Sequence, residues 1–391
     1  MLNKLEIKLL FGLYSYKLEF TNGKDSNIKF ITGPNGYGKT TILSLIFNLF
    51  ERDFSKLANI PFSTLNFCFD DKNIYIERSE NTENTDNSSD LKKENSAVTL
   101  NIKLRDNQSN DTIDELIINS SLNNNVKLGN NIEMFLSVEH CYRIFDQRLF
   151  SSKREENKPE LNSSVVNQFK AKTNAEDFKI KLEQLANKLK DSLLVSNLKF
   201  EKTISSEEYE TRQKTIIDFY SLLKEYGLYD DLNMPPYSIE NSTYLNAYLT
   251  ALEDGIDKCK EIVGYIGIFN HIINKSAFAN KKLEISPRYG FRFIADNELR
   301  TILTPDMLSS GEQHILIQTY ELLFNAPKGS LVLIDEPELS FHLMWQIDFF
   351  DNLCTIAEAK NLQCIVATHS TEIFGNDWNK TIDLFELSST K

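Results

Sequence analysis

The chain has 391 residues, 41% of them hydrophobic, and a formal net charge of −13. Such a composition excludes a disordered chain and suits one large domain or two to three smaller ones, while the acidic balance excludes a protein that binds nucleic acid over its whole surface and leaves only a local basic groove. The five cysteines, Cys68, Cys141, Cys259, Cys354 and Cys364, form no C-x-x-C pair and are read as reduced core thiols, with no disulfide framework and no zinc site.

The opening MLNKLEIKLLFGLYSYKLEF has charges interrupting its apolar runs, so it is not a signal peptide, and no stretch of about 18 apolar residues offers a membrane span. A cytoplasmic protein is expected. KLEIKLL and YSYKLEF alternate apolar and polar side chains and predict two β-strands. The turn TNGKDS then leads into the β-rich NIKFI, followed by GPNGYGKT from Gly33 to Thr40 and the helical pattern TTILSLIFNLF. The loop matches G-x-x-x-x-G-K-[ST] in its required strand, loop, helix setting. Gly33, Gly36 and Gly38 let successive backbone N–H groups turn toward a phosphate, and the helix N-terminus adds partial positive charge. Gly33, Pro34, Asn35, Gly36, Gly38, Lys39, Thr40 and Thr41 are therefore the candidate nucleotide-binding set. Lys39 is suited to β- and γ-phosphates and Thr40 to Mg²⁺. Phe11, Tyr14 and Tyr16 are each either an adenine platform or sheet packing.

Short β-like runs follow, STLNFCFD, NIYIERS, VTLNIKLRD and DELIIN, and predict an antiparallel lobe with the polar ENTENTDNSSDLKKENS as an exposed hairpin tip. From Ile132 to Arg148, IEMFLSVEHCYRIFDQR is expected as a mainly apolar strand. At its end Gln147 has an amide able to meet both a metal-bound water and a phosphate, or simply solvent. From about Ser163 to Phe278 the periodicity becomes helical, with Phe178, Leu182, Leu185, Leu189 and Leu193 in one stripe and the prolines of NMPPYS marking a turn. The lysines of the first helix suit either a solvated face or nucleic acid. KKLEISPRYGFRFIADNELRTILTPD then predicts a strand pair turning at SPRYG.

A second helix start opens at Ser309, Ser310, Gly311 and Glu312, either as plain N-capping or as a second anion site. In GSLVLIDEPELSFH a buried strand ends in Asp335 and Glu336. The first acid is placed to hold Mg²⁺ beside Thr40 and the second to polarise an attacking water. NLQCIVATHS is another buried strand, ending at His369, which alone suits a structural role and at that edge can read a γ-phosphate.

This order of phosphate loop, glutamine strand, helical insertion, SSGEQ, DEP and ATHS resembles the ATP-binding head of ABC-type ATPases, in the branch of RecF, SMC and OLD-like proteins. The resemblance covers about residues 1–148 and 281–381 and leaves the helical middle unmatched. It implies an α/β fold, an ABC-ATPase head with a mixed sheet and antiparallel β lobe, divided as 1–162, a helical insertion 163–280, and 281–391. It further implies ATP and Mg²⁺ as cofactors. By resemblance Lys39 and Thr40 bind phosphate and magnesium, Gln147 is the lid glutamine and a metal contact, Asp335 the magnesium acid, Glu336 the general base and His369 the switch histidine. Ser310 and Gly311 then face a nucleotide held by a second copy, so self-association is implied, and Glu338 and Ser340 fall in the subunit-crossing loop.

SSGEQ in place of a transporter's SGGQ, an insertion too short for a long coiled coil, and the absence of a C-x-x-C tip exclude a transporter motor and a zinc-hook repair ATPase. The compact head with DEPELS and SSGEQ looks like the ATPase subunits of anti-phage systems such as PARIS and Septu, which implies an infection sensor that controls a separate nuclease-type effector. The alternatives are a RecF-like ATPase clamping DNA and a nucleotide-gated scaffold with negligible turnover.

Overall fold

The computed structural model describes residues 1–21, 27–81, 97–119, 130–138, 141–144, 163–192, 200–275, 278, 280–339, 341, 343–375 and 377–389. The chain divides into two compact units, one formed by Met1–Leu149 with Asn325–Lys391 and one by Phe150–Phe324.

The first unit opens with β1 (Leu2–Leu10), β2 (Tyr14–Glu19), β3 (Ile28–Thr32), α1 (Lys39–Phe50) and the short α2 (Phe54–Ala58). With β4 (Thr64–Phe69), β5 (Lys72–Asn81), β6 (Ala97–Asp106) and β7 (Thr112–Asn119) it builds an antiparallel sheet in the order β2-β1-β4-β5-β6-β7. Period-two alternation puts Leu5, Ile7, Leu65, Phe67, Ile74 and Ile76 on one buried face, where they share a core with Ile42, Leu45, Ile46 and Leu49 of α1. Residues 82–96 of the expected hairpin tip lie outside the described residues.

The run from Ile132 to Arg148 is not one strand. It is helix α3 (Asn130–Val138) followed by a four-residue strand, β8 (Cys141–Ile144). Ile132 and Leu136 are buried while Glu133 and Met134 face solvent, so a four-residue spacing inside a nearly continuous apolar run selects the helix.

The second unit contains α4 (Ser163–Ser192), α5 (Ser206–Glu225), α6 (Ser242–Lys275), β9 (Lys281–Ser286), β10 (Gly290–Ala295), β11 (Ile302–Leu303) and α7 (Ser310–Tyr320). Phe178, Leu182, Leu185 and Leu189 of the expected stripe are buried, and Leu193 lies outside the described residues. Phe178 of α4 packs against Phe269 of α6 at 5.8 Å, Phe291 of β10 at 5.9 Å and Tyr320 of α7 at 5.6 Å between ring centroids. This aromatic cluster binds the β9–β10 hairpin and α7 to the helices, so the boundary expected at 280 falls inside a compact unit.

Back in the first unit, the chain adds β12 (Leu331–Asp335), α8 (Leu343–Lys360), β13 (Gln363–Ala367), β14 (Thr381–Asp383) and α9 (Leu384–Ser389). A parallel sheet results, ordered β14-β3-β13-β12-β8. Every residue of β12 and β13 is buried because both faces of the sheet are covered. Ile31, Leu333 and Ile365 join the core around α1. On the opposite face Phe30 meets Phe350 of α8 at 5.7 Å and Phe374 at 5.6 Å. No helix among the described residues is long and apolar enough to cross a membrane.

Candidate nucleotide site

β3, β13 and β12 are parallel neighbours, so their carboxyl ends deliver Gly33, His369 and the pair Asp335 and Glu336 to one sheet edge. Between Gly33 and α1 the loop turns on glycines at φ 134° (Gly33), 88° (Gly36) and 90° (Gly38), values that side-chain-bearing residues rarely adopt. Gly38 also has no room to spare: a Cβ there meets Leu10 Cδ2 at 3.0 Å. Pro34, Asn35 and Gly36 are exposed at the loop crest, and Thr40 and Thr41 follow Lys39 in the first turn of α1.

Lys39 is 6% exposed and spends its three protons within the site. They go to the carbonyls of Gly33 at 2.7 Å and Pro34 at 3.2 Å, and to His369 Nδ1 at 3.3 Å. Burial pushes the Lys39 ammonium pKa down, while Glu336, Asp335 and Glu338 pull it back up. Because the ammonium can only donate, Nδ1 of His369 accepts, and the imidazole proton sits on Nε2, 3.4 Å from Glu336 Oε1. Thr40 Oγ1 donates to Asp335 Oδ1 at 3.2 Å. Glu336 is held at φ 46° with its N–H on the Ala367 carbonyl at 2.8 Å, a strained backbone at the residue expected to act on water. Glu338 Oε1 takes the His369 N–H at 2.7 Å and ties the turn after β12 to the turn after β13.

Lys39, Thr40, Asp335, Glu336 and His369 thus converge, although up to 330 residues separate them in the chain. Gln147 and Ser340 lie outside the described residues. Of the three aromatic candidates, Tyr16 is buried and donates its hydroxyl to the Tyr37 carbonyl, and Tyr14 stacks on Tyr16 at 5.7 Å. Phe11 is 41% exposed, and its ring would lie 3.8 Å from a Cβ at Gly38.

One participant was invisible in the motifs. Arg143 of β8 points Nη2 at Asp335 Oδ2 at 3.5 Å and donates from Nη1 to Ser44 Oγ of α1 at 3.2 Å. Its only trace in the sequence is a charge inside the apolar strand CYRI.

Ser309, Ser310, Gly311 and Glu312 belong to the second unit. Ser309 caps α7 in a reciprocal capping box with Glu312, and Ser310 is exposed in the first turn. Glu312 is buried and also takes Lys281 Nζ at 2.6 Å. Its side chain is therefore committed within the protein, and the exposed Ser309 side chain is engaged by the same cap. Burial alone would raise the Glu312 carboxyl pKa, but hydrogen bonds from Lys281 and Ser309 outweigh it and hold it below the usual 4.5. A lowered folded pKa means stability that is present above pH 4.5 and lost as pH falls through the folded value. Glu312→Gln is expected to cost about 1–3 kcal/mol at neutral pH, a gap that denaturant titrations should see shrink in acid below the usual carboxylate pKa.

A cavity of about 1150 Å³ lies in the second unit between α4, residues 224–231 and the β9–β10 turn. Five basic and five acidic side chains line it, with Lys224 paired to Asp231 and Arg292 to Glu284, so its lining carries no net charge and shows no preference for a ligand of either sign. Among the described residues no three His, Cys, Asp or Glu side chains cluster as metal ligands.

The sequence profile of the AAA ATPase domain matches residues 1–374, which spans both units. Among solved structures, the chain is similar to the Smc head domain of Pyrococcus furiosus bound to the C-terminal domain of ScpA, at 14% identity and a TM-score of 0.37, over 96% of this chain and 91% of that one. It is also similar to the SMC head domain of Thermotoga maritima, at 10% identity and a TM-score of 0.33, over 95% and 90%. No curated protein sequence matches the chain.

Proposed function

The chain belongs to the AAA ATPase domain family and is an ATPase, and from that premise we propose that it binds ATP with Mg²⁺ at the Lys39–Asp335 edge. We further propose that it works as a self-associating sensor subunit whose nucleotide state controls a separate nuclease-type effector in anti-phage defence. The observation that carries the nucleotide reading is the 3.2 Å contact between Thr40 of the phosphate loop and Asp335 of β12. Two hard oxygen donors, one of them anionic, suit Mg²⁺, and the open side of the loop at Gly36, where a Cβ would meet nothing within 4 Å, suits a phosphate. Bound there, Mg²⁺ supplies charge neutralisation on the phosphoryl oxygens.

The chain's own residues supply the rest. Phosphate oxygens replace the Gly33 and Pro34 carbonyls as acceptors for Lys39, which strengthens the charge on a buried ammonium. Glu336 orients water and takes its proton, and His369, between Lys39 and Glu336, is placed to sense the γ-phosphate. Phe11 is the open platform for the base. Ser310 and Gly311 of a second copy complete the site, which makes association depend on ATP. The link to anti-phage systems rests on the order of motifs and the compact head.

The test combines native mass measurement with recovery of the tagged protein from its own operon. Added ATP and Mg²⁺ should shift wild type to a dimer or higher assembly, and Lys39→Ala should lose the shift with nucleotide affinity down about 10- to 100-fold. A stoichiometric nuclease-like partner supports the defence reading. A lone dimer carrying DNA overturns it in favour of a repair clamp, and unaltered nucleotide binding in Lys39→Ala overturns the site.

A further inference from the structure

Two of the contacts of the Asp335 carboxylate bear on the site. Oδ1 takes the Thr40 hydroxyl, and Oδ2 faces the Arg143 guanidinium at 3.5 Å. The side chains of Arg143 and Asp335 are 5% and 3% exposed. Arg143 is anchored from two more sides: Nη1 reaches Ser44 Oγ at 3.2 Å, and Cζ lies 5.7 Å from the Phe47 ring centroid. Ser44 Oγ in turn donates to the Thr40 carbonyl at 2.8 Å. The guanidinium therefore joins the first turns of α1 to the end of β12.

A dry ion pair is a poor device for stability alone, because apolar residues of similar volume often serve as well or better. In the otherwise apolar strand CYRI such a residue would be the easier choice. What an arginine adds is geometry and charge. With Nη1 on Ser44, its planar fork aims Nη2 at Oδ2 and leaves Oδ1 facing Thr40. Its charge offsets that of the acid, so what Asp335 and Thr40 themselves offer a cation is one oxygen of a compensated carboxylate and a hydroxyl. A divalent ion that holds most of its water needs more than that, and the missing ligands are phosphate oxygens.

We infer that Arg143 is a positioning residue that orients Asp335 and keeps the site from taking a divalent cation until nucleotide phosphate is present. The inference rests on the reading of Asp335 as the metal acid. Arg143 itself is buried behind that acid and acts through it.

The experiment is Mn²⁺ binding followed by electron paramagnetic resonance, with the full chain, with and without a non-hydrolysable ATP analogue. Wild type should bind Mn²⁺ at this site only with the analogue. Arg143→Gln should bind it without nucleotide at least about ten-fold more tightly than wild type, and Arg143→Gln with Asp335→Asn should lose that gain. Equal Mn²⁺ affinity in nucleotide-free wild type and folded Arg143→Gln overturns the inference. Should Arg143→Gln not fold, Arg143→Lys decides: with the charge kept and the fork lost, nucleotide-free protein should still refuse Mn²⁺, while kcat falls about ten-fold at unchanged KM for ATP. Unchanged kcat in that variant overturns the positioning role. Asp335→Asn separates the two levels, since full Mn²⁺ binding with the analogue in that variant removes the metal-acid reading itself.

Discussion

Glu336→Gln should leave ATP binding within a few-fold of wild type and lower turnover by about 100- to 1,000-fold, the usual contribution of a positioned general base. The substitution is nearly isosteric, and the strained backbone at φ 46° and the N–H bond to Ala367 do not depend on the carboxylate, so the fold should be unaffected. What is lost is an acceptor for the proton of the attacking water, and with it the anion 3.4 Å from His369 Nε2. Neither loss touches the Lys39 contacts with the loop, which is why binding and turnover should separate. Single-turnover phosphate release beside equilibrium nucleotide binding makes the measurement. Turnover within a few-fold of wild type would remove Glu336 from the chemistry. The same variant also distinguishes a motor from a scaffold: a subunit that merely sequesters its partner in the ATP state should retain that partner as well after Glu336→Gln as before it, whereas a cycle driven by hydrolysis should stall.

Gly290→Ala should be among the most destabilising single substitutions in the second unit. Gly290 opens β10 at φ +74°, and a Cβ built there lies 1.9 Å from the Ala175 carbonyl oxygen, 2.9 Å from its carbon and 3.1 Å from the Lys179 nitrogen. All three are backbone atoms of α4, so no rotamer change relieves the contact. A left-handed conformation costs a side-chain-bearing residue about 1–2 kcal/mol, and overpacking against fixed backbone adds about 1–3 kcal/mol. The sum, about 2–5 kcal/mol, is a large part of the ~5–15 kcal/mol that holds a typical domain folded. Urea unfolding should show the loss, with Gly264→Ala as the comparison, because a Cβ at Gly264 in α6 meets nothing within 4 Å and should be neutral or mildly stabilising. A Gly290→Ala protein within about 1 kcal/mol of wild type would mean that the hairpin and α4 separate at little cost. Since β10 carries Phe291 into the aromatic cluster with Tyr320, loosening this contact also loosens α7.

Local order was open to reading from residue types. Glycines at three positions before Lys39 and Thr40 define a phosphate loop because only backbone free of Cβ can turn that way, and the alternation in KLEIKLL and STLNFCFD defines strands because a half-buried sheet has a period of two. Two buried strands ending in Asp335–Glu336 and His369 could be placed at a sheet edge for the same reason. Where the local signal was ambiguous, the reading failed: the apolar run from Ile132 carries both periods, and packing on the first unit's core selected the helix.

By itself, the sequence determined the chemical cast of this ATPase and the type of most of its elements, since both follow from residue identity at spacings of a few residues. Only the tertiary structure decided which of those side chains touch. It placed His369 against Lys39, set the Asp335 carboxylate against Thr40 and Arg143, joined Ser309 and Glu312 in a reciprocal capping box, and packed Gly290 onto α4. Contacts between residues far apart in the chain arise when whole faces are buried together, and no local period records which partner a face will meet.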